Sequence, residues 1–276
     1  MKKNYELAVE MIKRTGLDAQ VVVVNKNNFT ATGISVGQEG DKIKLCVYPP
    51  EEISGPRNIT QYVLDVYYKN CDHAGDICKD FSLEDFELTT RLVNKTWNIN
   101  FLREYVHREI ADDLCEVLYL TKFINKEETA NVVYPWLAVK DQSVEELFRK
   151  AHENNWARSK IMDMSQMNFE LHSDNLLECD IDNISFMAVI TNDENSYGTS
   201  NILDPKVQKR LVELFPEGFF LIPSSVHEWI AVSTHINNDA NGIASMIKEV
   251  NATQVDAIEQ LSNHPYKLVD GRIVSA

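Results

Sequence analysis

The sequence predicts an α+β protein: an N-terminal antiparallel β-meander with a helix, followed by a mixed α+β C-terminal domain. Three observations lead there. Near the N-terminus, β-rich runs are joined by Asn27-Asn28 and by the turn from Gly37 to Gly40, which is hairpin chemistry and excludes an all-parallel sheet. Segments with apolar residues at helical spacing recur between such runs in both halves of the chain. Near the C-terminus, Asp270-Gly271 splits a last apolar segment into one more hairpin.

The elements follow in order. Tyr5 to Thr15 sets Leu7, Val9, Met11 and Ile12 between charges, and Gly16 is a natural stop, so a short helix is expected. Gln20 to Asn25 holds four consecutive valines and reads as a buried strand. Phe29–Val36 and Ile43–Tyr48 complete the meander. Pro49-Pro50 and Ser54-Gly55-Pro56 break the chain before an amphipathic helix over Ile59–Tyr68, and Cys71 to Asp80 reads as a polar loop. Phe81 to Asn100 is ambiguous apart from a strand near Arg91–Val93. Leu114, Val117, Leu118, Leu120 and Phe123 suit a helix by spacing, but the Asn125-Lys126 turn and the β-rich Asn131–Val139 favour a hairpin. Ser143 with Glu146 has capping-box spacing and opens a helix to about Asn155, after which Trp156 to Asp182 reads as a long connection.

Farther on, Ser185–Thr191 reads as a strand, and Asp204-Pro205 caps a helix to Phe215. Phe219–Pro223 and Trp229–Ser233 are strands around a tight corner. Asp239–Val250 is a helix, Ala252–Leu261 is expected to be another, and Tyr266–Val274 is the closing hairpin. The expected organisation is residues 1–95 as the meander with its helices and residues 96–276 as the second α+β domain, with one continuous unit as the alternative.

A chain of 276 residues, 44% hydrophobic and 25% charged, can build a normal core without disulfides and is not disordered. Lys plus Arg number 27 and Asp plus Glu 42, a net charge of −15. That excess disfavours direct nucleic-acid binding, which needs a basic face, and docking on anionic membrane. It fits a solubility adaptation, or an acidic surface that binds a basic protein by imitating a nucleic acid. Five irregularly spaced cysteines fit reduced thiols in a cytoplasm. Met1-Lys2-Lys3-Asn4-Tyr5 has no apolar region behind its lysines, and no run approaches the length of a membrane span, so a cytoplasmic protein is expected.

Candidate chemistry concentrates at Pro223–Glu228. Ser224, Ser225, His227 and Glu228 stand at a strand–strand corner, where His227 can act as base or ligand beside Glu228 or a serine. Set against this, adjacent strand residues point to opposite faces, and corner serines commonly bond local backbone. Asn263 and His264 precede the last hairpin and can approach the same corner. Two histidines alone do not specify a metal site, and Cys71-x-His73-x4-Cys78 matches no common zinc spacing, so no metal and no cofactor are expected. His107-Arg108-Glu109 with Asp112-Asp113, and the acids Asp174, Glu178, Asp180, Asp182, Asp193 and Glu194, read as solvated surface. GxGxxG, P-loop, GxSxG and HExxH motifs are absent.

Several segments together carry a resemblance. They are Val24-Asn25-Lys26-Asn27-Asn28, Thr32-Gly33-Ile34, Leu92-Val93-Asn94, Tyr197-Gly198-Thr199-Ser200, Phe220 to Glu228, Val250 to Val255 and Leu261-Ser262-Asn263-His264. In this order they resemble the domain-of-unknown-function 5688 family over about the whole chain, with the Pro-Ser-Ser-x-His-Glu block the most specific part. Glu116 departs by interrupting a run expected to be more continuously apolar. The resemblance implies a fold shared with proteins of gut bacteria and their mobile elements, and it brings no catalytic residue. The expected function is a non-catalytic acidic binding or regulatory protein, an inhibitor or nucleic-acid mimic acting on a basic protein. The alternative is a hydrolase or transferase built around His227, Glu228 and His264.

Overall fold

A computed structural model describes residues 2–41, 44–79, 86–123, 129–164 and 186–276, with backbone alone at 2, 70–79, 123 and 129–130. The chain divides into two compact units, Met1–Asp85 and Phe86–Ala276.

The first unit holds α1 (Lys2–Lys13), β1 (Asp18–Lys26), β2 (Phe29–Gly37), β3 (Leu45–Val47) and α2 (Pro56–Lys79). Its sheet has the order β1-β2-β3, antiparallel throughout. Asn28 takes the left-handed conformation that the tight turn between β1 and β2 demands, with φ 60°. Ala8 and Ile12 of α1 and Ile59 and Val63 of α2 pack with Ile34 and Val36 of the sheet. Two expectations change here. The valine run is half-exposed, with Val23 at 67%, because among the described residues β1 pairs with β2 alone and has one covered face. The stretch from Cys71 is helix rather than loop as far as Lys79. It contains no proline, and a helix already nucleated upstream propagates through the single Gly75 at a cost of about 1 kcal/mol.

The second unit opens with β4 (Glu87–Asn94), α3 (Ile99–Glu104), β5 (His107–Glu109), β6 (Leu114–Phe123) and β7 (Thr129–Val133). β6 is the spine of this sheet, pairing with β4 along one edge and with β5 and β7 along the other. The hairpin reading of β6 and β7 therefore holds. Helix α4 (Val144–Trp156) follows, its Ser143 Oγ accepting the Glu146 N–H at 3.4 Å. The glutamate side chain that returns to Ser143 is Glu145, at 3.0 Å, whereas Glu146 takes Arg149 at 2.9 Å.

The remaining elements are β8 (Ser159–Asp163), β9 (Met187–Asn192), α5 (Pro205–Leu214), β10 (Phe219–Pro223), β11 (Trp229–Ser233), α6 (Ala240–Thr253), β12 (Tyr266–Val269) and β13 (Arg272–Ser275). They build a second antiparallel sheet in the order β13-β12-β10-β11-β9-β8. Strand β8 lies where a connection was expected; it pairs with β9 from Ser159↔Asn192 to Asp163↔Ala188. Asp204 Oδ1 caps α5 by accepting the Lys206 N–H at 2.9 Å, with Pro205 in the first turn. Asp270 and Gly271, both at positive φ, close the last hairpin.

The expected helix over Ala252–Leu261 is instead a short 3-10 turn at Ala257–Glu259. Side chains outcompete the helix there. Gln260 Nε2 donates to the Asn251 and Val255 carbonyls, at 2.7 and 2.9 Å, and Asn251 Nδ2 donates to the Ser262 carbonyl at 2.9 Å.

The largest core of this unit joins the two sheets. Leu92 and Leu114 pack with Ile190, Leu221, Trp229 and Tyr266. The Trp229 and Tyr266 rings meet edge to face at 5.5 Å, and the Trp229 indole N–H donates to the Thr199 carbonyl at 2.8 Å, so its one polar atom is satisfied.

Candidate functional site

The corner at Ser224–Glu228 is bend rather than strand, because β10 ends at Pro223 and β11 begins at Trp229. The alternation that would separate His227 from Glu228 therefore lapses, and both line one open cleft with Ser224 and Ser225. The cleft measures about 340 Å³, and Asn195, Ser196, Gln254, Val255 and Glu259 form the rest of its wall.

Two neighbouring segments pin this corner. On one side the Val226 N–H donates to the Glu259 carbonyl at 2.7 Å. On the other, the His227 carbonyl accepts from the Gly198 N–H at 2.9 Å and from Thr191 Oγ1 at 3.0 Å, while Thr199 Oγ1 donates to the Val226 carbonyl at 3.0 Å. Ser225 Oγ accepts the His227 N–H at 3.0 Å and donates to Glu228 Oε1 at 3.1 Å. His227 Nδ1 accepts the Tyr197 N–H at 3.0 Å, and Nε2 lies 3.5 Å from Glu259 Oε1. The serine and both imidazole nitrogens thus already have partners inside the corner.

Gly198 is the tightest point of the scaffold. A β-carbon there would stand 2.6 Å from the Asn192 nitrogen and 2.7 Å from the Thr191 carbonyl carbon, and neither backbone atom can swing aside. Gly198→Ala is expected to cost about 1–3 kcal/mol by overpacking. The loss should appear as a lower midpoint in thermal unfolding, and an unchanged midpoint would mean that the Tyr197–Ser200 turn can shift freely.

The other two predicted residues sit in a different cluster. Asn263 Oδ1 accepts from Asn251 Nδ2 at 2.8 Å, and His264 Nε2 lies 3.1 Å from Asp113 Oδ2. Asp113 also accepts from the Tyr266 hydroxyl at 2.6 Å and from Ser262 Oγ and Asn94 Nδ2 at 3.1 Å each. Burial alone would raise the Asp113 carboxyl, but the His264 and Tyr266 bonds outweigh it and hold the group below its ordinary value. The same pairing with Asp113 raises the His264 pKa against the effect of its burial. Burial, and then the bond to Asp113, push the Tyr266 hydroxyl far upward. Neither Asn263 nor His264 lines the corner cleft.

A third polar region went unread in the sequence. Thr90, Arg91, Asn155, Arg158, Glu194 and Tyr197 are among the residues that line a smaller pocket beside the cleft, with Ser196 common to both. Its tightest parts come from residues far apart in the chain, such as Asn155 and Thr90, which exchange backbone and side-chain hydrogen bonds at 2.9–3.3 Å. The one local signal was the Tyr197-Gly198-Thr199-Ser200 segment, where Tyr197 takes a left-handed φ of 55°.

The charged stretch read as solvated is partly internal. Arg108 Nε donates at 2.7 Å to Glu116, whose side chain is fully buried on β6, and Asp113 anchors the His264 cluster. Glu194 lines the smaller pocket, while the predicted acids at 174, 178, 180 and 182 lie outside the described residues. The side chains of Cys71, His73 and Cys78 are likewise outside the description. Among the described residues no group of three or more His, Cys, Asp or Glu side chains could hold a metal ion, and no helix is long and apolar enough to cross a membrane.

No curated protein and no solved structure matches the chain. The model of a family of unknown function (DUF5688) matches residues 2–268, nearly the full length, and the chain belongs to that family.

Proposed function

We propose that the chain is a non-catalytic binding protein whose corner cleft receives a cationic side chain, lysine or arginine, from a basic partner protein. One observation carries this reading. Among the described residues, the cleft wall holds the carboxylates of Glu228 and Glu259 with His227 and five small polar or amide residues, and no lysine or arginine. The wider charge agrees, because a chain at −15 attracts basic surfaces over long range and competes with nucleic acid for them. An inhibitory or regulatory role on such a protein follows from that competition.

The cleft's bonding supports recognition over turnover. Ser225 donates its hydrogen bond to Glu228 instead of to an imidazole, so it forms no serine–histidine pair of the kind that activates a nucleophile. His227 Nδ1 accepts a hydrogen bond from the Tyr197 N–H, and His264 is bonded to Asp113 in another cluster. What these bonds do supply is a rigid Glu228 acceptor aimed by Ser225, which suits a cation with fixed N–H directions.

The test is an affinity pull-down from the native cell at low and high salt, read by mass spectrometry. A basic partner recovered at low salt and lost at high salt is the expected result. Glu228→Gln with Glu259→Gln should weaken that binding about tenfold. Recovery of the same partner by the double variant at full strength would remove the cleft from the interface. Turnover of an ester, amide or phosphoester that is lost in His227→Ala would replace binding by catalysis.

A further inference from the structure

Arg91 is a charge without a carboxylate. It stands on β4, partly buried, with its guanidinium carbon 3.6 Å from the centre of the Tyr197 ring and 4.5 Å from that of Tyr119. These rings satisfy its face, and Tyr197 also takes a side-chain hydrogen bond. No carboxylate among the described residues pairs with it, which leaves most of its five N–H donors for something else. Burial pulls its pKa below the ordinary arginine value, and the two tyrosines act the other way. A cation in that position is costly unless a counter-charge arrives.

The same pocket holds the complementary vacancy. Glu194 has one oxygen 3.6 Å from Arg158 Nε, while its other, Oε2, is buried and has no hydrogen-bond partner. Arg158 is itself held by Glu87 at 2.6 Å. Arg91 and Glu194 therefore share a pocket, carry opposite charges and form no ion pair with each other. A phosphate would answer Arg91 and repel Glu194, and a plain amine would do the reverse. A molecule with a carboxylate next to an ammonium answers both.

We infer that the pocket between Arg91 and Glu194 binds a free α-amino acid, its carboxylate on Arg91 and its ammonium on Glu194 Oε2. The enclosed space agrees in size. It is about 50 Å³, room for roughly three or four water-sized groups, which is the carboxylate, α-carbon and ammonium of an amino acid with its side chain directed to the mouth. The polar wall is fixed before any ligand arrives. Asn155 Nδ2 is tied to the Thr90 carbonyl at 2.9 Å and to Ser200 Oγ at 2.6 Å, and Asn192 Oδ1 accepts the Ser196 N–H at 3.0 Å. This site is additional to the cation-receiving cleft, and its ligand is of a different kind.

Calorimetric titration of the full chain with glycine, alanine, serine and glutamate tests it, alongside the matching amino-acid amides, N-acetyl amino acids, acetate and inorganic phosphate. At least one free amino acid is expected to bind and to raise the unfolding temperature, with its amide and N-acetyl forms about 10- to 100-fold weaker. Arg91→Met, which keeps an apolar stem against the tyrosines, should abolish binding. Glu194→Gln should weaken the free amino acid about tenfold while leaving its N-acetyl form unchanged, and it reports even if Arg91→Met does not fold. No heat and no thermal shift with any amino acid overturns the proposal, as does equal binding of the blocked forms or tighter binding of phosphate. Glu228→Gln with Glu259→Gln should leave the amino-acid titration unchanged, so failure of the corner-cleft reading and failure of this one are separable.

Discussion

Arg108→Met is expected to destabilise the protein by about 2–3 kcal/mol, because it takes the guanidinium from a carboxylate in the interior and leaves that group chiefly on His152. Glu116 has a fully buried side chain in the middle of β6, where Arg108 and His152 meet it. Arg108 Nε lies at 2.7 Å from Oε2, and His152 Nε2 at 2.7 Å from Oε1. Burial pushes the Glu116 carboxyl up, but the His152 bond and charge, with the Arg108 charge, more than reverse this and keep it below its ordinary value. A depressed carboxylate contributes stability above its unfolded value, near pH 4, and that contribution is lost as pH falls through the lower folded value. Methionine keeps contact with the Phe148 ring, against which the guanidinium now lies at 4.5 Å, so most of the cost is electrostatic. In urea the unfolding midpoint should fall with an unchanged slope. Arg108→Met combined with Glu116→Leu should recover most of the loss, since removing both charges also removes the desolvation cost. A single variant as stable as the parent would mean that Glu116 is protonated in the fold.

Asp113→Ala should cost about 3–4 kcal/mol and lower the unfolding temperature by about 10 °C. The carboxylate gathers four donors, from Asn94, Ser262, His264 and Tyr266, and ties the end of β4 to the segment before β12. Alanine leaves the His264 ring nitrogen without its carboxylate and takes the shorter of two partners from the buried Tyr266 hydroxyl, which keeps Ser262 at 2.7 Å. The pH dependence has a definite sign. Asp113 is lowered in the fold, so its contribution is present above about pH 4 and is lost as pH falls through the folded value. His264 is raised, so its contribution is complete below about pH 6.5 and is lost as pH rises through the folded value. The pair stabilises most between those limits. Thermal melts across pH should show the stability difference between the parent and His264→Asn shrinking above neutrality. A difference that stays constant from pH 5 to pH 9 would show that His264 is not charged in the fold.

These two clusters also mark what could be read without coordinates. Turn and cap chemistry acts over a few residues, and there the sequence was sufficient: Asn27-Asn28, Asp204-Pro205 and Asp270-Gly271 all do what their local conformations demand. The α+β class followed from them. So did the corner, because Ser224, Ser225, His227 and Glu228 are neighbours in the chain and do share a cleft. Periodicity misled where it was silent about the other side of the element. Four valines look alike whether one face of a strand is covered or two, and Glu116 looked like an interruption when Arg108 and His152 bond it across strand and helix.

What only the tertiary structure decided is which distant groups are left with a partner. Asp113 meets His264 over a separation of 151 residues, and Asn155 meets Thr90 over 65. Arg91, a lone arginine in a strand, reads as an ordinary half-exposed charge until the fold lays Tyr197 against it and brings Glu194 to the same pocket. Local sequence determines backbone conformation because steric and capping forces are short-ranged. The cost of an uncompensated charge depends on everything packed within a few ångströms, and that is settled by chain segments a sequence does not place side by side.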